Sequence, residues 1–122
     1  VERAFLKLGP SSLIGEQTTI RDPRILRVVE TICKEPATPY TVASLARTVG
    51  LSPSRFAHLF RTETGASPQR FLEAERLRQA RHLLATTHLP VAEIAIAVGF
   101  PDPFYFSKRY RRFHSHSPRQ AR

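Results

Sequence analysis

The stretch "VASLARTVGL", Val42–Leu51, returns further along the chain as "VAEIAIAVGF", Val91–Phe100. Each copy is a short run of helix formers that stops at Val-Gly. Glycine tolerates the positive φ that a sharp turn after a helix requires, so Gly50 and Gly99 are where the chain should turn. A capping residue and a proline follow each turn, Ser52-Pro53 in one copy and Asp102-Pro103 in the other. The Ser or Asp side chain accepts from free N–H groups of a helix start, and proline fits the first helical position. Downstream, "FRTETGASP" (60–68) is echoed by "YRRFHSHSP" (110–118), with one residue inserted between the paired blocks. A short helix, a tight turn and a second capped helix make a helix-turn-helix, and here the unit occurs twice. The alternative is a helical bundle whose repeat serves packing alone.

The rest of the chain is also helical in pattern, with almost no strand alternation. "RDPRILRVVETICKEP" (21–36) opens at Asp22-Pro23, stops at Pro36 and lines up Ile25, Val28, Val29 and Ile32. "SPQRFLEAERLRQARHLLATT" (67–87) opens at Ser67-Pro68 and puts Phe71, Ala74, Leu77, Ala80, Leu83 and Leu84 on one stripe. At ~1.5 Å per residue, a helix over 68–86 is about 28 Å long. That approaches the ~34–36 Å between successive major grooves on one side of a duplex. "SPRQAR" (117–122) starts a last turn. The fold class expected is all-α.

Composition narrows the partners. The 122 residues suit one domain or two very small ones, and 41% apolar residues can supply a core. No apolar run is long enough to span a membrane, and nothing has the form of a signal peptide. Cys33 is the single cysteine, which excludes an internal disulfide and an all-cysteine zinc site and suits a reduced cytoplasmic setting. The sequence contains no methionine, so a longer parent chain is expected. A formal net charge of +9 calls for an anionic partner, of which nucleic acid is the commonest for a small chain. The cations are mostly arginine, which grips phosphate and guanine in a fork, although a GC-rich genome also raises arginine usage.

Helical phase separates two faces on the second helix of each unit. Phe56, Leu59 and Phe60 turn inward, with Ser54, Ala57, His58 and Arg61 outward. In the second unit Phe106, Tyr110 and Phe113 turn inward, with Phe104, Ser107, Lys108 and Arg111 outward. Arg55 and Tyr105 hold matching flanks. Three aromatics in a row, Phe104, Tyr105 and Phe106, cannot all share one face, and Phe104 is the one left outside. In the first turn of a recognition helix it would meet a thymine methyl or a base edge. Its alternative is contact with a neighbouring helix or an absent domain. His58 suits a base contact and Arg61 a phosphate contact.

"RLRQARHLL" (76–84), "VAEIAIAVGFPDPFYFSKRYRR" (91–112) and "SPRQAR" (117–122) closely resemble the AraC/XylS family of bacterial transcription regulators. The resemblance runs from about Asp22 to Arg122. It implies a seven-helix DNA-binding domain with two helix-turn-helix subdomains, 22–66 and 87–122, joined by a long helix over 67–86. By position it implies a first reader of Ser54, Arg55, Ala57 and His58, with Arg61 nearby. The second reader would be Pro103, Phe104, Ser107 and Lys108, with Arg111 near the backbone. Two departures stand out. Ser115 occupies a position usually held by glycine, and Pro103 and Phe104 replace polar residues, shifting the second reader toward shape and backbone contacts.

The resemblance further implies a regulator, expected to be an activator and not an enzyme, that sets two helices into successive major grooves of an asymmetric site on double-stranded DNA. RNA polymerase is an implied partner and the bacterial cytoplasm, at the nucleoid, the implied location. No cofactor, no metal and no membrane are expected, and the effector is left open. Residues 1–21 read as the tail of a preceding effector and dimerisation domain plus a linker, through which the intact protein would form a homodimer. Val1, Ala4, Phe5 and Leu8 make a short apolar stripe there, and Leu13 and Ile14 could dock on the domain. Two rival functions remain open. One is DNA repair with Cys33 as alkyl acceptor, as in repair proteins carrying this domain. The other is a protein-interaction module. His114 and His116 alone would make a poor metal site.

Overall fold

The computed structural model describes residues 19–122; the expected stripe from Val1 to Leu8 and the linker residues Leu13 and Ile14 lie outside them. Six α-helices follow in order: α1 Pro23–Lys34, α2 Val42–Thr48, α3 Pro53–Thr64, α4 Pro68–Thr86, α5 Val91–Ala97 and α6 Pro103–His114. The place of a seventh helix is taken by one 3₁₀ turn, Arg119–Ala121. Ser117 and Gln120 cap each other across it, Ser117 N–H donating to Gln120 Oε1 at 2.8 Å and Gln120 N–H to Ser117 Oγ at 3.3 Å.

The helix starts follow from their caps. Asp22, Ser52, Ser67 and Asp102 each accept a backbone N–H of the first turn, and each is followed by proline. Such a cap is worth about 1 kcal/mol. α2 has a reciprocal capping box: Thr41 and Ser44 exchange backbone N–H donors with each other's hydroxyls at 2.9 Å.

Two separate cores result. The first collects Ile25, Val29 and Ile32 of α1 with Phe56 and Phe60 of α3. Ile20, which the sequence reading puts in the linker, is fully buried in it. The second collects Ile94 and Ala95 of α5 with Phe106 and Tyr110 of α6. Only α4 serves both, giving Phe71 and Leu72 to the first and Leu77, Ala80 and Leu84 to the second. Edge and tilted ring contacts recur in each, Phe60–Phe71 at 5.5 Å and Phe100–Phe106 at 5.3 Å between centroids. Leu59, Leu83 and Phe113, expected on the buried stripes, are only half-buried because they sit at core edges. Conversely α4 buries Glu75, which no apolar stripe could announce; it pairs with Arg78 one turn on.

Candidate nucleic-acid interface

Each unit turns in the same way. After α2, Gly50 has φ 72°, Gly50 N–H donates to Arg47 O at 3.2 Å and Leu51 N–H to Ala46 O at 3.1 Å. After α5, Gly99 has φ 108°, Gly99 N–H donates to Ile96 O at 3.0 Å and Phe100 N–H to Ala95 O at 2.8 Å. Both are Schellman turns, in which the glycine lets two bonds close over the helix end. The residue after each glycine packs back inward, and the chain re-enters a helix within a few residues. That is how the repeated sequence fixes the angle of α3 on α2 and of α6 on α5.

The outward faces of α3 and α6 are as expected in phase. Ser54, Arg55, His58 and Arg61 are exposed, and Ala57 is half-buried, while Phe56 and Phe60 are fully buried. On α6, Phe104, Lys108 and Arg111 are exposed, Pro103 and Ser107 half-buried, and Phe106 and Tyr110 fully buried. Phe104 is 86% exposed, so its ring packs on no neighbouring helix. Tyr105 is half-exposed and leans on Phe100, with centroids 6.2 Å apart. A free ring on a helix start, with Lys108, Arg109, Arg111 and Arg112 in the turns that follow, is suited to a partner that offers both apolar and anionic groups.

Not every cation is available. Arg109 makes a two-pronged ion pair with Glu73 of α4, at 2.9 Å and 2.7 Å, so it anchors α6 rather than extending the outward face. The Glu73 carboxylate makes the Arg109 guanidinium hold its proton more firmly still. The sequence does not mark Arg24 as part of this face. It is exposed at the start of α1, makes a two-pronged ion pair with Asp22 at 3.1 Å and 2.9 Å, and borders a recess of about 370 Å³ with Ser54, Arg55 and His58. In sequence it signals only as a neighbour of the Asp22 cap, and its proximity to α3 is a product of the fold.

The groups behind the other readings are placed as follows. Cys33 is half-buried beside Glu75, Arg78 and His82 in a recess of about 700 Å³. Burial, then the Glu75 carboxylate, pushes its thiol up to about 12. His114 is engaged with Leu77 O at 3.1 Å, and His116 with Ser117 O at 3.2 Å. Among the described residues no three His, Cys, Asp or Glu side chains gather as metal ligands. None of the described helices is long and apolar enough to cross a membrane.

Comparison with known proteins agrees with this geometry. A family model described as a helix-turn-helix domain matches residues 45–122. The chain is 42% identical over 83 residues to the arabinose operon regulatory protein of Escherichia coli, a match covering 68% of this chain and 28% of that protein. It is 32% identical over 118 residues to the transcriptional activator RhaS of Klebsiella pneumoniae, covering 97% of this chain and 42% of that one. The chain therefore spans well under half the length of these relatives. Among solved structures, the DNA-binding domain of the global transcriptional factor AdpA, in complex with a target DNA, superposes with a TM-score of 0.76. That likeness is at 31% identity and covers 82% of this chain and 89% of that one. With two repeated helix-turn-helix units, one shared central helix and a family match over most of its length, the chain belongs to the AraC-type helix-turn-helix family of DNA-binding transcriptional regulators.

Proposed function

We propose that this domain binds an asymmetric site on double-stranded DNA by setting α3 and α6 into successive major grooves, and that it does so as part of a transcriptional activator. The observation that carries this reading is the matched pair of outward faces, Ser54, Arg55, His58 and Arg61 against Phe104, Lys108 and Arg111, on two helices built on one helix about 28 Å long. Different residues at matching positions give a site whose halves differ. Ala57, Pro103 and Ser107 complete the two readers at the groove floor. The activator role follows the likeness to RhaS, and RNA polymerase is its natural partner. Dimerisation and effector binding are assigned to the part of the relatives that this chain does not span, with residues 1–21 leading toward it. The bacterial cytoplasm, at the nucleoid, is the place of action.

Catalysis by Cys33 is disfavoured by its thiol, which stays protonated at neutral pH and is not an activated nucleophile. A bare protein-interaction module would not bind duplex DNA. Selection of sites from random duplexes, followed by titration of the selected site against salt, tests the proposal. Log affinity should fall linearly with log salt at about −0.9 per phosphate neutralised. Protection should cover two neighbouring grooves on one side of the duplex. Affinity that does not respond to salt, or protection of a single groove, would refute it.

A further inference from the structure

The two units share a helix but no apolar core, so their relative setting depends on what the middle of α4 holds. Arg76 stands where α4 passes from the first core to the second, between Leu72 and Leu77. Its Nε donates to Pro36 O and its Nη2 to Thr38 O, both at 2.7 Å, in the loop between α1 and α2. On its other side lies the turn of the second unit. A Cβ on Gly99 would stand 2.7 Å from Arg76 Nε and 3.0 Å from its Cζ. One planar guanidinium is thus hydrogen-bonded to backbone of the first unit and packed against the turn of the second, where a Cβ would crowd it. The Glu73–Arg109 ion pair, a turn away on α4, pins α6 in the same joint. Two charge-assisted bonds from a rigid fork resist both sliding and twisting, which a bare helix linker would allow.

We propose that Arg76, seated against Gly99, is a clamp that fixes the angle between the two readers and so makes the domain select the spacing of its two half-sites. For its effect on DNA this rests on the two-groove reading; for its effect on the free protein it does not. One base pair more or less turns the second half-site by about 35° around the duplex axis. A clamped pair of readers cannot follow that turn, whereas a loosened pair can.

The experiment uses the intact chain, its Arg76→Lys variant and its Arg76→Met variant. Lysine keeps the charge but cannot serve both carbonyls as a fork. Methionine keeps an unbranched stem and removes both donors, with Gly99 and its turn untouched. Residual dipolar couplings of the DNA-free proteins are measured first. In the parent one alignment tensor should fit both units. In each variant the units should need separate tensors, while each still fits its own fold. Binding is then compared on duplexes with the selected spacing and with one base pair added or removed. The parent should prefer its own spacing by about tenfold or more, since base contacts go out of register. The variants should prefer it by about twofold or less, with unchanged affinity for a single half-site. A common tensor retained in both variants, or an undiminished spacing preference, would overturn the clamp. A parent that binds all three duplexes equally, with variant couplings that separate as expected, would instead defeat the two-groove reading.

Discussion

The two helix-turn-helix units are one frame carrying different chemistry. Matching inward positions keep their character: Leu45 and Ile94, Ala46 and Ala95, Phe56 and Phe106, Phe60 and Tyr110 are all buried. Matching outward positions do not. Ser54 corresponds to Phe104 and His58 to Lys108; at the core edge, half-buried Leu59 corresponds to Arg109, which has turned to Glu73. The exits differ too. In the first unit Thr64 is buried and donates to Phe60 O at 2.9 Å, and Gly65 caps α3 at φ 86°. In the second His114 reaches Leu77 O, and Ser115 caps α6 at φ 69°, the single non-glycine with positive φ among the described residues. Packing constrains the frame, and the exposed face is free to diverge; a duplicated fold can therefore read two different half-sites.

The largest effects should come where the units diverge most, on the outward faces. Arg55→Ala or His58→Ala should cost on the order of 1–3 kcal/mol at the specific site and little on random DNA. Arg61→Ala should weaken both about equally, as a phosphate contact does. Phe104→Ala should leave thermal stability nearly unchanged, whereas loss of a buried ring such as Phe106 would cost about 3–5 kcal/mol. Replacing the contacted thymine by uracil removes a methyl and keeps the base-pair hydrogen bonds. That replacement should penalise the parent and barely touch the Phe104→Ala protein. Indifference of both proteins to the methyl would take Phe104 out of the groove and leave the second unit without an apolar contact.

The difference between frame and face also explains what could be read before the structure. Asp22-Pro23, Ser52-Pro53, Ser67-Pro68 and Asp102-Pro103 mark four helix starts because cap and proline act within one turn. The turns at Gly50 and Gly99 are legible because each recurs with the same flanks. The outward face follows from helical phase alone. What stays hidden depends on partners distant in sequence. Arg76 finds carbonyls of Pro36 and Thr38, and Arg109 finds Glu73. Spacing within a helix carries no signal for any of these. Arg24 is hidden likewise, since its place beside α3 needs the whole first core to form.

A smaller effect is expected at the two helix exits. Left-handed backbone costs a side-chain-bearing residue about 1–2 kcal/mol, part of which a glycine returns through the greater freedom of its unfolded chain. Ser115→Gly should therefore stabilise the domain by roughly 0.5–1 kcal/mol, a rise of a few degrees in Tm. Gly65→Ser should do the reverse by a similar amount. Thermal unfolding of the two variants measures both. A Ser115→Gly protein no more stable than its parent would mean that the Ser115 position is not strained, and that the two exits differ only in residue name.

The smallest effect should depend on pH and belong to the second unit alone. Burial lowers the affinity of His114 for a proton, the Leu77 carbonyl partly restores it, and Arg81 and His116 lower it again. The Tyr110 ring, 4.4 Å away between centroids, adds to the apolar surroundings. The folded state thus holds the proton less tightly than the unfolded chain, whose histidine titrates near its ordinary 6.5. Stability from this group is complete above that value. It is lost as pH falls from there through the lower folded value, and below that no further change comes from it. Because the carbonyl bond opposes the shift, the loss should be modest. Thr64, the counterpart in the first unit, has nothing to titrate. Chemical denaturation between pH 8 and 5 should show the parent losing more stability than a His114→Gln variant, which keeps a donor for Leu77. Amide exchange should place the extra loss in α6 and the second core, with α1 and α3 unaffected. Parallel curves for the two proteins, or an equal loss of protection in both units, would remove His114 as the cause and with it this last difference between them.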